Sequence, residues 1–180
     1  MRRLRHHEQK LLKKTDFFNW EREDKDLPSL YRYHIEKRTD YVKYKEYARK
    51  IRELSISIKD LKSTDKMRDI FSKQLVNKCY EMGIINTKAS LSLCRKVNAE
   101  NFCRRRISTM LLTFNMAQYA KSAVQMVEHG HVRIGLEVVK DPAFHVTREM
   151  EDYLTWAHGS KYLERKDEFD GKIDDFAKLM

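Results

Sequence analysis

Residues 103–142 read CRRRISTMLLTFNMAQYAKSAVQMVEHGHVRIGLEVVKDP, and the spacing of their apolar residues changes partway along. Ile107, Met110, Leu111 and Phe114 follow Arg104, Arg105 and Arg106 at three- and four-residue steps, which predicts a helix opened by three arginines with that apolar face buried. After Asn115-Met116-Ala117, a second helix from about Gln118 to His129 turns Ala120, Ala123, Val124 and Val127 inward, and Gly130 stops it. His131-Val132-Arg133-Ile134 then alternates, Gly135-Leu136-Glu137 can turn, and Val138-Val139 resumes a strand that Asp141-Pro142 breaks. The expected fold is mainly α with a small β ribbon, an α+β chain.

Upstream, helix also dominates. Five glycines and two prolines in 180 residues are too few for the turns of a β-sandwich or barrel. From Ile35 to about Leu61, the residues Tyr41, Tyr44, Tyr47, Ala48, Ile51, Leu54, Ile58 and Leu61 recur at helical steps, predicting a long amphipathic helix with those residues buried. Ser63 or Thr64 is a candidate N-cap for a second helix that places Met67, Ile70, Phe71, Leu75, Cys79 and Met82 on one face, with Gly83 as its C′ residue. The two helices should pair as an antiparallel hairpin. A shorter helix from Ala89 or Ser90 toward Lys96 follows.

The ends differ in character. Met1 to Lys14 carries Arg2, Arg3, Arg5, Lys10, Lys13 and Lys14 around one acid, Glu8, and reads as a flexible or extended basic arm. Phe17, Phe18 and Trp20 then form an aromatic anchor, and a polar linker ends at Pro28. The expected organisation is an arm and anchor over 1–30, a helical region over 31–100, a compact module over 101–160 and an acidic tail over 161–180.

Charge points to a polyanion. The chain is formally +10, but Met1 to Arg148 holds 32 basic and 18 acidic side chains, against 5 and 9 from Glu149 to Met180. The resulting +14 segment suits nucleic acid, because each neutralised phosphate releases condensed counterions. A large multi-domain enzyme is excluded by length. No apolar run approaches a membrane span, and the basic N-terminus lacks the apolar core of a signal peptide, so an intracellular protein is expected. Cys79, Cys94 and Cys103 have no paired spacing and read as reduced structural thiols, while His6 and His7 lack further ligands for a metal.

The Arg-rich helix, the small-residue helix ending Val127-Glu128-His129-Gly130-His131-Val132, and the ribbon before Asp141-Pro142 resemble the RNA-binding module of ribosomal protein S-four. The likeness extends through Leu4 to Lys14, Phe17-Phe18-Asn19-Trp20, Phe102 to Arg106, and Val146 to Trp156. Across nearly the whole chain these segments are similar to the Imp-type S-four family of the U-three small nucleolar ribonucleoprotein. That resemblance implies a nuclear, nucleolar RNA-binding factor of the small-subunit processome. It would help U-three small nucleolar RNA pair with pre-ribosomal RNA, beside the scaffold protein Mpp-ten and the Brix-family Imp partner.

The resemblance also implies an RNA face of Arg104, Arg105, Arg106, Lys121, His129, His131 and Arg133, and the arm residues Arg2, Arg3, Arg5, Lys10, Lys13 and Lys14 join it through their charge. Plainer readings stand beside these. The arginines can be a solvated helix start, His129 and His131 can cap a helix end, and the tyrosine stripe can be core or a stacking platform for bases. Trp156 is expected to close the ribbon against its helices. No Gly-rich phosphate loop, nucleophile elbow or carboxylate pair is evident, so neither an enzyme nor a cofactor is expected. A mature-subunit ribosomal protein is the alternative, and an RNA-modifying enzyme a more distant one.

Overall fold

The computed structural model describes residues 2–14, 26–62 and 65–172. The aromatic anchor at Phe17, Phe18 and Trp20, the expected caps Ser63 and Thr64, and residues 173–180 lie outside these. Ten helices and three short strands are found among the described residues. None of the helices is long and apolar enough to cross a membrane.

The arm is not extended: α1 spans His6–Lys14 and buries none of its side chains. Pro28 sits in the first turn of α2 (Leu27–Arg32), where its missing N–H costs nothing, and the linker expected before it lies largely outside the described residues. The long helix, α3, runs Arg38–Asp60 and buries Tyr41, Tyr44, Ala48, Ile51, Ser55 and Ile58. Its stripe is narrower than predicted, since Tyr47 and Leu54 are 48% and 53% exposed and Leu61 is also exposed. The Ser55 hydroxyl takes the place expected of an apolar neighbour by donating to the Leu91 carbonyl at 3.3 Å.

Helix α4 spans Lys66–Glu81, and Asp65 caps it by accepting from the Met67 N–H. It buries Val76 and Cys79, whereas Met67, Ile70 and Phe71 are exposed, contrary to the predicted face. Gly83, at φ +70°, ends it as anticipated: its N–H donates to Tyr80 and that of Ile84 to Cys79, the two bonds of a Schellman turn. A Cβ there would also lie 2.5 Å from the Arg105 guanidinium. Helices α5 (Ser92–Arg95) and α6 (Ala99–Cys103) pack on α3. Together these helices bury a first core that includes Tyr33, Ile51, Cys94, Val97 and Phe102. Cys79, Cys94 and Cys103 are free and buried in it, and burial pushes the Cys103 thiol up to about 12, so it stays protonated.

The helix expected to open at Arg104 begins three residues later, as α7 (Ile107–Thr113). Its partner α8 (Ala120–Glu128) buries Ala123, Val124 and Val127, with Ala120 only half-buried and Phe114 exposed. Asn115 and Gly130, both at positive φ, close the two helices through further Schellman pairs. The ribbon is β1 (Val132–Ile134) against β2 (Glu137–Val138). A third strand not foreseen from the sequence, β3 (Leu154–Trp156), pairs with the other edge of β1, giving the order β2-β1-β3. Ile107, Leu111, Val127, Val132, Val146 and Leu154 centre this second core.

Between β2 and β3 lies the short helix α9 (Arg148–Glu151), and after them α10 (Lys161–Phe169), capped by Ser160. The start of the expected acidic tail is therefore ordered helix, and it docks by stacking Tyr162 on Trp156 at 5.1 Å between ring centroids.

Candidate nucleic-acid interface

Three consecutive arginines diverge because the chain leaves helical geometry between α6 and α7. Arg104 is exposed and its Nε donates to the Tyr33 hydroxyl at 3.5 Å, a contact that raises its pKa and holds it charged. Arg105 and Arg106 are only 9% and 4% exposed. This corrects their expected place on the outer RNA face.

Both buried arginines are committed to the junction between the two cores. Arg105 donates through Nε and Nη2 to the Val146 carbonyl, at 2.9 and 2.7 Å, and pairs with Glu151. Its own carbonyl accepts from the Val146 N–H, and that of Phe144 accepts from Ile107. Arg106 donates to the Tyr44 hydroxyl at 3.1 Å, with Asp40 at 3.9 Å, tying α3 to the start of α7. Arg148 donates to the carbonyls of Tyr80 and Ile85 while its guanidinium lies 4.1 Å from the Tyr80 ring centroid. Residues 143–151 thus stitch the α7–α8 module onto the helical region. His145 belongs to the same seam: Nε2 lies 2.9 Å from the Met82 carbonyl, which can only accept, so that nitrogen carries a proton. Burial lowers the His145 pKa against the opposing effect of that hydrogen bond, and the nearby Arg105 charge lowers it further.

The remaining expected RNA residues divide by surface. Lys121, in the first turn of α8, and His129, its C-cap, are exposed about 12 Å apart along the axis. His131 is half-buried: Nδ1 meets the Ser160 hydroxyl at 3.1 Å, and its ring makes an edge contact with Tyr162. Arg133 is committed to the sheet, donating to Trp156 and Gly135 carbonyls. Two exposed residues of the module escaped sequence reasoning. The Lys140 stem lies against the space above Gly130, which brings its ammonium to the His129 end of α8. Tyr119 precedes α8 as its N-cap and is 71% exposed, an aromatic face at the same end of the helix as Lys121. Tyr119 falls outside the predicted inward set of Ala120, Ala123, Val124 and Val127, and that was the available signal for it.

The arm is a second cationic surface. Arg3, Arg5, Lys10, Lys13 and Lys14 are exposed, while Arg2 pairs with Glu8, whose carboxyl it holds below its ordinary pKa. No cluster of three or more potential metal ligands occurs among the described residues. Chemically, such surfaces bind phosphate and, through Tyr119, offer one ring for stacking.

Comparison with known proteins follows the same division of the chain. Residues 3–104 match the ribosomal protein S4/S9 N-terminal domain, and residues 114–152 match the S4 domain. The chain is 46% identical to the U3 small nucleolar ribonucleoprotein protein IMP3 of Mus musculus over 179 residues, covering 98% of this chain and 97% of that one. It is 41% identical to the protein of that name in Saccharomyces cerevisiae, over 98% of each. Similarity to the small ribosomal subunit protein uS4 of Hyperthermus butylicus is lower, 27% over 81% of this chain and 82% of the other.

Proposed function

The chain belongs to the IMP3 family of U3 small nucleolar ribonucleoprotein proteins, and from that premise we propose that it is a nucleolar RNA-binding factor of ribosome biogenesis that helps U3 RNA pair with small-subunit pre-ribosomal RNA. The observation that carries this reading is similarity at about 40% identity or more along the full chain, S4 domain included. The exposed cations supply its physics. Two RNA strands repel through their phosphates, and a surface such as Arg104, Lys121, Lys140 and the arm reduces that repulsion while one strand is held. The scaffold protein Mpp-ten and the Brix-family Imp partner are the proposed neighbours, and the nucleolus the proposed location.

The test is annealing of labelled U3 and pre-ribosomal RNA segments followed by energy transfer. Pure protein should accelerate annealing, with the acceleration fading as salt rises. Unchanged annealing at saturating protein would refute the pairing role. Similarity to uS4 favours a second reading, a protein retained in mature small subunits. Sedimentation separates them, since the first reading places the chain in large precursor particles and the second in mature subunits.

A further inference from the structure

We infer that a polar cleft on the helical region, between the end of α4 and helices α5 and α6, binds one unstacked nucleotide of single-stranded RNA. The cleft measures about 240 Å³ and is lined by Asn86, Thr87, Lys96, Asn101 and Arg104 above a floor that includes Ile84 and Ile85. It rests on the RNA-binding reading but lies outside the α7–α8 module, and to Arg104 it adds Asn86, Thr87, Lys96 and Asn101, none of them in the RNA face that the resemblance implies.

Its chemistry is that of a nucleotide site. No acid lines it, and both its cations, Lys96 and Arg104, are exposed. Glu100, the acid that acts on Arg104, accepts a hydrogen bond from the Ser29 hydroxyl. Tyr33 engages Arg104 through Nε, whereas bidentate capture of a phosphate can use the two terminal amino groups. The floor is already satisfied: the Ile84 carbonyl accepts from Asn101 Nδ2 at 3.0 Å, and the Ile85 carbonyl from Arg148 at 2.9 Å. Asn101 is thereby oriented with Oδ1 left as the acceptor for an amino, imino or 2′-hydroxyl donor. Asn86 and Thr87 are exposed at the rim and supply further polar groups. Phosphate-binding cations beside side-chain amides over an apolar floor match how proteins hold splayed bases of RNA, and a cleft this small does not admit a duplex.

The experiment uses the full chain, a uridine-rich single strand carrying 4-thiouridine, and the same strand annealed to its complement, all at one salt concentration. The Lys96→Ala/Arg104→Ala variant should weaken single-strand binding by about tenfold, the equivalent of one charged hydrogen bond, with a smaller loss for the duplex. Asn86→Ala, at an exposed position, should weaken only the single strand, and crosslinks in the wild type should map to residues 83–104. If the wild type binds RNA but these variants keep full single-strand affinity, or lose strand and duplex equally, the cleft proposal falls while the RNA-binding reading stands. Absence of any RNA binding by the wild type would take both down.

Discussion

Arg104, Arg105 and Arg106 are chemically identical neighbours with different tasks, decided by where α6 ends and not by composition. Their burial reverses the ordinary expectation for surface arginines. Arg105→Ala removes the donors to the Val146 carbonyl and leaves Glu151 without its partner, so we expect a loss of about 3 kcal/mol in thermal or urea unfolding. Arg104→Ala should move stability by less than about 0.5 kcal/mol. His145 gives the same junction a pH dependence. Its folded pKa lies below the ordinary 6.5, so near and below that pH the unfolded chain binds more protons than the folded one. The stability it protects is complete above about pH 6.5 and is lost as pH falls from there toward the folded value. His145→Gln should flatten the slope of unfolding free energy against pH in that window, whereas an unchanged slope would remove His145 as its source. None of this was legible in the sequence, because a run of arginines does not reveal which ones a distant segment, residues 143–151, will cover.

Helices were legible where period and punctuation agreed. Gly83 and Gly130 end α4 and α8 as their positions suggested, and the inward residues Ala123, Val124 and Val127 follow directly from spacing. The phase of α3 was harder to read, since apolar residues flank its stripe on both sides and Ser55 lies within it. Ile51→Ala should therefore cost about 2–4 kcal/mol, and the half-exposed Leu54→Ala less than about 1 kcal/mol, by chemical denaturation. Strand β3 escaped notice because three residues carry too little alternation, and only its pairing with β1 reveals it. Helix α1 escaped because its charge masked its helical character. With no buried side chain it adds nothing to the core. Deleting residues 1–14 should leave the melting temperature unchanged while reducing the log–log salt slope for single-stranded RNA by as much as about 4, at roughly 0.7 for each of six cations. A preserved slope would show that the arm does not touch RNA.

At the scale of the whole molecule, two cores meet at a polar seam, and cationic groups are displayed on both sides of it: Arg104 and Lys96 on one, Lys121 and Lys140 on the other. The seam fixes the two surfaces relative to each other through Arg105, Arg106 and Arg148. Two cationic surfaces held in this way would suit the proposed factor, which holds one strand while another pairs with it. Composition and the S4-like pattern were enough to anticipate RNA as the partner, but the partition of arginines between seam and surface required the fold. The central claim, that this chain acts on U3 and pre-ribosomal RNA, is tested most directly by crosslinking it to RNA in growing cells and sequencing what it holds. Reads should concentrate on U3 RNA and on the precursor segments with which it pairs. Reads confined to mature small-subunit RNA, with none on U3, would contradict it.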